Sequence, residues 1–328
     1  MTGGSRSTSR AGRASVREHV RPSVTRAEDV VANASGENFP VALRMLPARH
    51  RKHLTNLYFF ARLTDDLGDE ARGDESAESA KSAENAENAK SAENAKSAEN
   101  VTELRLRLLD ELAADVDRIY SGKTPQSPVI KAMAETVREC GVPAQPLLDL
   151  IQANRQDQLV ARYRTYQELE QYCELSANPV GQIVLYIFGV ATPRRIEFSD
   201  SICTALQLAE HWQDVAEDLA AGRIYLPGED LERFGVTEAD LAAPSAGSAV
   251  RQLMIFETDR AERLLDSGAP LVHTLHGAAR LAVAGYLAGG RAALAAIRGQ
   301  DYDVLRGTPR PRKQRLAKEL AKAYVTGR

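Results

Sequence analysis

Apolar residues recur at intervals of three and four positions along most of the chain. The clearest run consists of Val101, Leu104, Leu108, Leu112, Val116 and Ile119. This spacing places apolar side chains on one face of an α-helix. The same period returns in residues 41–63, 145–162, 198–221, 250–266 and 312–325. No segment alternates polar and apolar residues for long enough to indicate a strand, so the pattern predicts an all-α fold.

The helical runs follow one another closely enough to form a single domain, predicted over residues 28–310. The glycines and prolines that punctuate the sequence fall between these runs: Gly122, Pro125, Gly141, Pro143, Pro193, Pro227, Pro244 and Pro270. Residues 1–27 contain no apolar segment and are predicted to be a disordered tail. Residues 311–328 are predicted to form a basic C-terminal helix or tail.

Residues 74–100 repeat imperfect S-A-E-N-A-K units and contain no large apolar side chain. Such a segment has nothing to bury in a core. Its Ala, Glu and Lys residues allow transient helix, whereas Ser and Asn favour turns and caps. We therefore predict a solvated, disordered insertion between two ordered helices, without a part in the chemistry.

Composition excludes several classes of protein. The chain has 328 residues, of which 43% are hydrophobic, so it can bury a sizeable core. A formal net charge of -3 lacks the basic footprint of a nucleic-acid partner. The three cysteines are far apart and indicate neither a disulfide framework nor a zinc site. The apolar stretch 180–191 is too short to span a bilayer, and 271–297 is interrupted by Arg280 and Arg291. A cytoplasmic protein is the simplest interpretation.

The first candidate site lies in Y-F-F-A-R-L-T-D-D-L-G-D-E, residues 58–70. On a helix, Tyr58, Arg62, Asp65 and Asp69 share one face. Two carboxylates on one wall can hold a divalent metal, and a guanidinium one turn away can meet an anionic ligand. The same acidic run could instead be a solvated helix end.

The second candidate site lies in A-L-Q-L-A-E-H-W-Q-D-V-A-E-D, residues 205–218. Gln207, Glu210, Asp214 and Asp218 form a stripe at spacings of three, four and four. Two such helices facing each other would gather carboxylates that repel one another unless a cation neutralises them. Oxygen-only ligands suit Mg²⁺, which also coordinates substrate phosphates. Both acidic stripes could instead face solvent on the outside of the protein. His211 is expected on the helix surface or in packing rather than as a base.

These motifs resemble the squalene and phytoene synthase family. The resemblance is carried by the two D-x-x-x-D motifs, by G-R-I-Y-L-P at 222–227 and by Y-C-E-L-S-A-N-P-V-G at 172–181, and it extends from about Glu37 to about Arg310. E-N-F-P-V-A at 37–42, the S-A-N-P-V-G form and Q-D-V-A-E-D are most similar to the hydroxysqualene synthases (squalene synthase HpnC) of bacterial hopanoid pathways.

The resemblance implies an isoprenoid synthase helical bundle with a central cavity. By motif position, the resemblance implies that Mg²⁺ holds diphosphate between Asp65/Asp69 and Asp214/Asp218. Arg62 and Arg223 would contact the diphosphate, and Tyr225 would line the same end of the cavity. Gln207 would face the cavity, and Tyr58 and Tyr172 would lie near the reacting carbons. Ala177 and Gly181 match small positions, which serve either close helix packing or the shape of the prenyl channel.

One residue departs from the family pattern. Glu210 stands where the family usually has Asn as a metal ligand. A carboxylate can also bind Mg²⁺, but its extra charge and length alter the expected metal geometry.

The implied reaction is ionisation of presqualene diphosphate followed by water capture, which gives hydroxysqualene and diphosphate without a nucleotide cofactor. Head-to-head condensation of two prenyl diphosphates remains open, as does a helical prenyl-diphosphate-binding protein without turnover, because of Glu210. The implied partner is a prenyl diphosphate. The resemblance also leaves room for peripheral association with the inner membrane face during lipid release, and for contacts with other enzymes of the pathway.

Overall fold

A computed structural model describes residues 46–69 and 87–326. The predicted N-terminal tail lies outside these residues. Within them the chain is helical, with one isolated parallel bridge between Arg162 and Ile224. The helices are α1 (Ala48–Asp69), α2 (Glu87–Tyr120), α3 (Pro128–Cys140), α4 (Ala144–Asp157), α5 (Tyr166–Ser176), α6 (Asn178–Ile187), α7 (Pro193–Gln213), α8 (Val215–Ala220), α9 (Gly228–Phe234), α10 (Glu238–Leu241), α11 (Ser248–Gly268), α12 (Leu271–Thr274), α13 (Gly277–Gly299) and α14 (Lys313–Thr326). The all-α prediction is confirmed.

The helix expected from Val101 begins earlier, at Glu87. The second half of the low-complexity segment is therefore helical backbone, continuous with the amphipathic run that follows it. Ala, Glu and Lys are strong helix formers, and here they prolong a helix whose later turns are buried. Residues 70–86 lie outside the described part of the chain.

Helix α7 lies at the centre of the fold and packs against α6, α11 and α13. Glycines allow α11 and α6 to pack closely against α7. A Cβ at Gly268 of α11 would meet the carbonyl oxygen of Phe198 at 2.5 Å. A Cβ at Gly181 of α6 would collide with the side chains of Cys203 and Ser199. Of the two roles considered for Gly181, the structure shows close helix packing.

Two hydrophobic clusters form the core. One is built largely from α1 to α4 and α6, and the other surrounds α7, α11 and α13. Helix α4 contributes to both, with Ile151 in the first cluster and Ala153 in the second. The C-terminal end of α4 is thereby fixed between them, and the candidate site is built around this end. No helix in the described ranges is long and apolar enough to cross a membrane.

Candidate active site

The C-terminal end of α4 joins the first acidic motif to α5. Asn154 is buried, and its Nδ2 donates to Oδ1 of Asp65 at 3.4 Å and to the carbonyl of Leu150 at 3.2 Å. One turn later, Asp157 accepts a hydrogen bond of 3.0 Å from the hydroxyl of Tyr172. Residues 154 and 157 thus face α1 and α5 from the same end of α4.

The G-R-I-Y-L-P segment is held beside the α4–α5 loop. Gly222 has φ +79°, a left-handed conformation that glycine adopts without strain. After this turn the amide of Ile224 donates to Ala161 O at 3.0 Å, and the amide of Gly228 donates to Tyr163 O at 2.9 Å. This short parallel pairing fixes the segment that carries Arg223 and Tyr225.

Arg223 connects the segment to α4. Its guanidinium donates to the backbone carbonyl of Asp157 at 3.3 Å and to the hydroxyl of Tyr225 at 3.3 Å. The contacts therefore run from Asp65 on α1, through the end of α4, to the loop that follows α8. Both candidate motifs of the sequence adjoin this chain of contacts.

An aromatic cluster surrounds His211. Its ring stacks on Tyr225 with centroids 3.7 Å apart and planes 11° from parallel, and Tyr172 lies 5.9 Å from Tyr225. Gln207 is 3.2 Å from His211 Nε2. Burial, aided by the charge of Arg223, lowers the pKa of His211 to about 3. His211 is therefore a neutral residue packed in the interior. Of the two roles expected for it, packing is confirmed, because the side chain is buried and does not lie on the helix surface.

The tyrosine hydroxyls of this cluster stay protonated. Burial raises the pKa of Tyr225 to about 12 and that of Tyr172 well above its ordinary value, and the nearby Asp157 charge adds to both shifts. These rings present neutral aromatic faces at physiological pH.

The second acidic motif does not lie on one uninterrupted helix, so that detail of the sequence prediction is wrong. Helix α7 ends at Gln213, Asp214 has φ -104° and ψ 16°, and α8 begins at Val215. The hydrogen bonds Asp214 N to Glu210 O (3.0 Å) and Asp218 N to Asp214 O (2.8 Å) continue through the break. The four-residue spacing of the carboxylates therefore persists across a bend.

Burial and like charges act on these carboxylates. The pKa of Asp218 is raised to about 7, first by burial and then by Asp214, while Arg223 opposes the shift. Burial also raises the pKa of Asp214. A small cavity beside them is lined by His211, Val215, Asp218, Ile224, Tyr225, Leu226 and Leu241.

Comparison with known proteins identifies the family. The family model for squalene/phytoene synthase matches residues 32–317. The chain belongs to the squalene and phytoene synthase family. The family resemblance seen in the sequence is thereby confirmed.

The individual relatives are named for different activities. The hydroxysqualene synthase of Rhodopseudomonas palustris is 29% identical over 236 residues, which cover 72% of this chain and 70% of the relative. The 15-cis-phytoene synthase of Synechocystis sp. is 28% identical over 292 residues, covering 84% and 78%. The crystal structure of squalene synthase HpnC from Alicyclobacillus acidocaldarius has a TM-score of 0.67 and 37% identity, covering 84% of this chain and 94% of that one.

The residues present fit the divalent cation that the family resemblance implies. The Oδ1 atom of Asp214 is buried without a hydrogen-bond partner among the described residues. The pKa of Asp218 is raised by burial and then by nearby negative charge, and a bound cation would offset both effects. Within the described ranges, no three His, Cys, Asp or Glu side chains by themselves form a metal-binding group. A metal here would take its remaining ligands from water and substrate, as Mg²⁺ commonly does.

The remaining predicted residues lie on α1 and in the last turn of α7. Glu210 is exposed in the last turn of α7, yet its charge contributes to the raised pKa of Asp218. Arg62 forms an ion pair of 2.8 Å with Asp66 on α1, and Tyr58 is partly buried on the same helix. Asp69 is the last residue of α1, and its side chain lies outside the described part.

Two groups of residues near the site were not predicted from the sequence. Asn154 and Asp157 lie within the run 145–162, for which the sequence predicted a helix but no site residue. The second group lies in the segment after α13, where Thr308 donates to Glu217 at 2.6 Å and the carbonyl of Pro309 accepts from Gln213. The N-R-Q-D run at 154–157 was an available signal, because it places polar groups beside a buried face.

Proposed function

We propose that this chain is a Mg²⁺-dependent isoprenoid synthase that ionises presqualene diphosphate and captures water to give hydroxysqualene and diphosphate. The observation that carries the proposal is the chain of contacts from Asp65 through the end of α4 to Arg223. It runs from the first acidic motif to Arg223, whose charge acts on Asp218 of the second motif, and it is bordered by neutral aromatic rings. Family membership and the similarity to hydroxysqualene synthases support the choice of substrate.

The first step breaks the bond between carbon and the diphosphate oxygen, and the leaving diphosphate keeps the electron pair. Arg223 and Arg62 would contact the departing anion. The ligands for the metal would come from Asp65, Asp69, Glu210, Asp214 and Asp218. When bound, Mg²⁺ would supply Lewis-acid stabilisation of the leaving group, a contribution of several kcal/mol to the barrier.

The carbocation left behind needs a neutral, weakly nucleophilic surrounding. Tyr172 and Tyr225 offer aromatic faces, which stabilise a cation by about 0.5 to 2 kcal/mol. Tyr58 would add a third face from α1. Because the pKa of His211 is about 3, its ring adds no positive charge to oppose the cation. Gln207 holds this ring by a contact at Nε2.

The last step forms a carbon–oxygen bond. The cyclopropane ring of the cation opens, water adds to the resulting cationic carbon, and one proton leaves to solvent or to the diphosphate. The overall change is a substitution of diphosphate by hydroxide with rearrangement. No electrons are gained or lost, so the reaction needs no reductant.

Incubation of the purified protein with presqualene diphosphate and Mg²⁺ tests the proposal. We expect hydroxysqualene and inorganic diphosphate in equal amounts, with loss of turnover in Asp214→Asn. The matched control is Asp117→Asn, which removes an exposed carboxylate on α2 and should keep the parental rate. Failure of the parent to consume presqualene diphosphate would overturn the proposed reaction.

A second reaction is favoured by the similarity to the 15-cis-phytoene synthase, which covers 84% of the chain. In this alternative the same centre would ionise one prenyl diphosphate while a second attacks the cation. Incubation with farnesyl diphosphate or geranylgeranyl diphosphate alone would then release diphosphate. Substrate binding without any release of diphosphate would instead indicate the binding protein that Glu210 suggested.

A further inference from the structure

The C-terminal helix concentrates positive charge in a chain that is negative overall. Residues 310–326 carry six basic side chains and one acidic side chain, whereas the whole chain has a net charge of -3. The basic residues are Arg310, Arg312, Lys313, Arg315, Lys318 and Lys322, and all six are exposed.

In helix α14 the one acidic residue is buried, whereas the basic residues are exposed. Glu319 and Ala323 are buried against the body of the protein, with α13 as the main neighbour. The buried Glu319 pairs with Arg315 at 3.0 Å. Arg280 of α13 lies 5.0 Å from the ring of Tyr324 and so fixes the far end of the helix. The outward charge is therefore a fixed surface rather than an unattached tail.

Apolar side chains project from the same helix. Leu316, Tyr324 and Val325 are 38%, 41% and 73% exposed, and they are three of the seven large hydrophobic residues exposed in the described ranges. Leu316 borders the buried face of Glu319 and Ala323, whereas Val325 shares the outward face with the lysines at 318 and 322. Basic residues beside an exposed apolar one suit an anionic lipid surface, where charges meet headgroups and apolar groups enter the interface. A nucleic acid would bind through charge alone, which would not explain the exposed Val325 on the same face.

We propose that residues 310–326 form a docking surface for an anionic lipid bilayer, with α14 lying along the headgroups. An anionic bilayer is the partner inferred, because its charge is complementary to the basic side chains and its interface can accept the exposed apolar ones. This inference depends only on charge and exposure, so it stands or falls separately from the proposed reaction.

Sedimentation with lipid vesicles tests the docking surface. We expect the parent to bind vesicles of phosphatidylcholine with phosphatidylglycerol, to bind phosphatidylcholine alone at least about tenfold more weakly, and to be released by high salt. Lys318→Gln/Lys322→Gln should weaken binding to the anionic vesicles at least about fivefold. The matched control is Lys123→Gln/Lys131→Gln, which removes the same charge from exposed positions near α3 and should bind as the parent does.

Three outcomes would overturn the proposal. They are equal binding to both kinds of vesicle, an equal loss in the two double variants, and tighter binding of an oligonucleotide than of anionic vesicles at the same salt. Val325→Ser provides a second test that leaves all charges in place. It should weaken vesicle binding, whereas Ile255→Ser, on an exposed position of α11, should not.

Discussion

The pKa of Asp218 is set by opposing effects of burial and of neighbouring charges. Burial and the charges of Asp214 and Glu210 favour its protonated form, while Arg223 favours the carboxylate. The resulting pKa of about 7 means that the metal-free protein holds this group partly protonated at neutral pH. A cation would reverse that preference, because it adds positive charge beside the same oxygens.

This balance predicts how Asp218→Asn changes stability with pH. The folded-state pKa lies above the unfolded value of 3.8, so the folded carboxylate costs stability increasingly as pH rises from about 4 to about 7. Without metal, Asp218→Asn should raise the free energy of unfolding at pH 8 by about 1 to 2 kcal/mol, allowing for partial solvent screening. The difference should vanish below pH 4.

Urea unfolding at several pH values, in the presence of a chelator, measures this difference. His211 titrates in both proteins and cancels from the comparison. Asp117→Asn is the control and should leave the pH dependence unchanged. A pH-independent effect of Asp218→Asn would contradict the assignment.

Glu210 is the residue at which the chain departs from the family pattern. It is exposed, but its charge acts on Asp218. Glu210→Asn removes one negative charge and keeps an amide oxygen as a possible ligand. We expect a severalfold change in the Mg²⁺ concentration that gives half-maximal rate, with turnover retained. Glu210→Ala, which removes any ligand, should cost more.

Rates measured against Mg²⁺ concentration check this expectation, with exposed Glu232→Asn as the control. If both Glu210 variants match the parent in rate and in metal dependence, Glu210 lies outside the metal site. The second motif would then act through Asp214 and Asp218 alone.

At the scale of elements, periodicity in the sequence was enough to place the major helices. The runs at 145–162 and 250–266 correspond to α4 (Ala144–Asp157) and α11 (Ser248–Gly268), because each buries one apolar face. The bend at Asp214 was not predictable, since the four-residue spacing is the same with or without it. The contact between Asn154 and Asp65 joins positions 89 apart, and no local pattern encodes such a pairing.

The packing of α6 on α7 gives a prediction at this scale. Gly181→Ala should lower the free energy of unfolding by about 1 to 3 kcal/mol, because the added Cβ would collide with Cys203 and Ser199. Adding Cys203→Ala and Ser199→Ala should recover part of the loss, since the colliding atoms are then removed.

Gly285→Ala in α13 is the control for this prediction. A Cβ there meets nothing within 4 Å, so alanine should stabilise the helix by about 0.5 to 1 kcal/mol. Chemical denaturation of the parent and of the three variants measures these differences. Equal stability of Gly181→Ala and the parent would show that α6 and α7 can move apart without cost.

At the scale of the whole molecule, the candidate site depends on parts of the chain that are distant in sequence. Helix α1 supplies Asp65, α4 supplies Asn154 and Asp157, and the loop after α8 supplies Arg223. A ligand that touches all of these parts couples them and stabilises the folded state. Binding should therefore register as a change in global stability.

Inorganic diphosphate with Mg²⁺ should raise the melting temperature of the protein. At 100 times its dissociation constant a ligand adds about 2.7 kcal/mol, which corresponds to about 4 °C for a chain of this size. Mg²⁺ alone should give a smaller shift, because the described carboxylates form no complete metal-binding group without substrate oxygens. Asp65→Asn and Asp214→Asn should each lose most of the shift, since they weaken the site from opposite motifs, while Asp117→Asn should keep it. Differential scanning fluorimetry measures these shifts, and a full shift in both Asp65→Asn and Asp214→Asn would show that the two acidic motifs do not share one metal site.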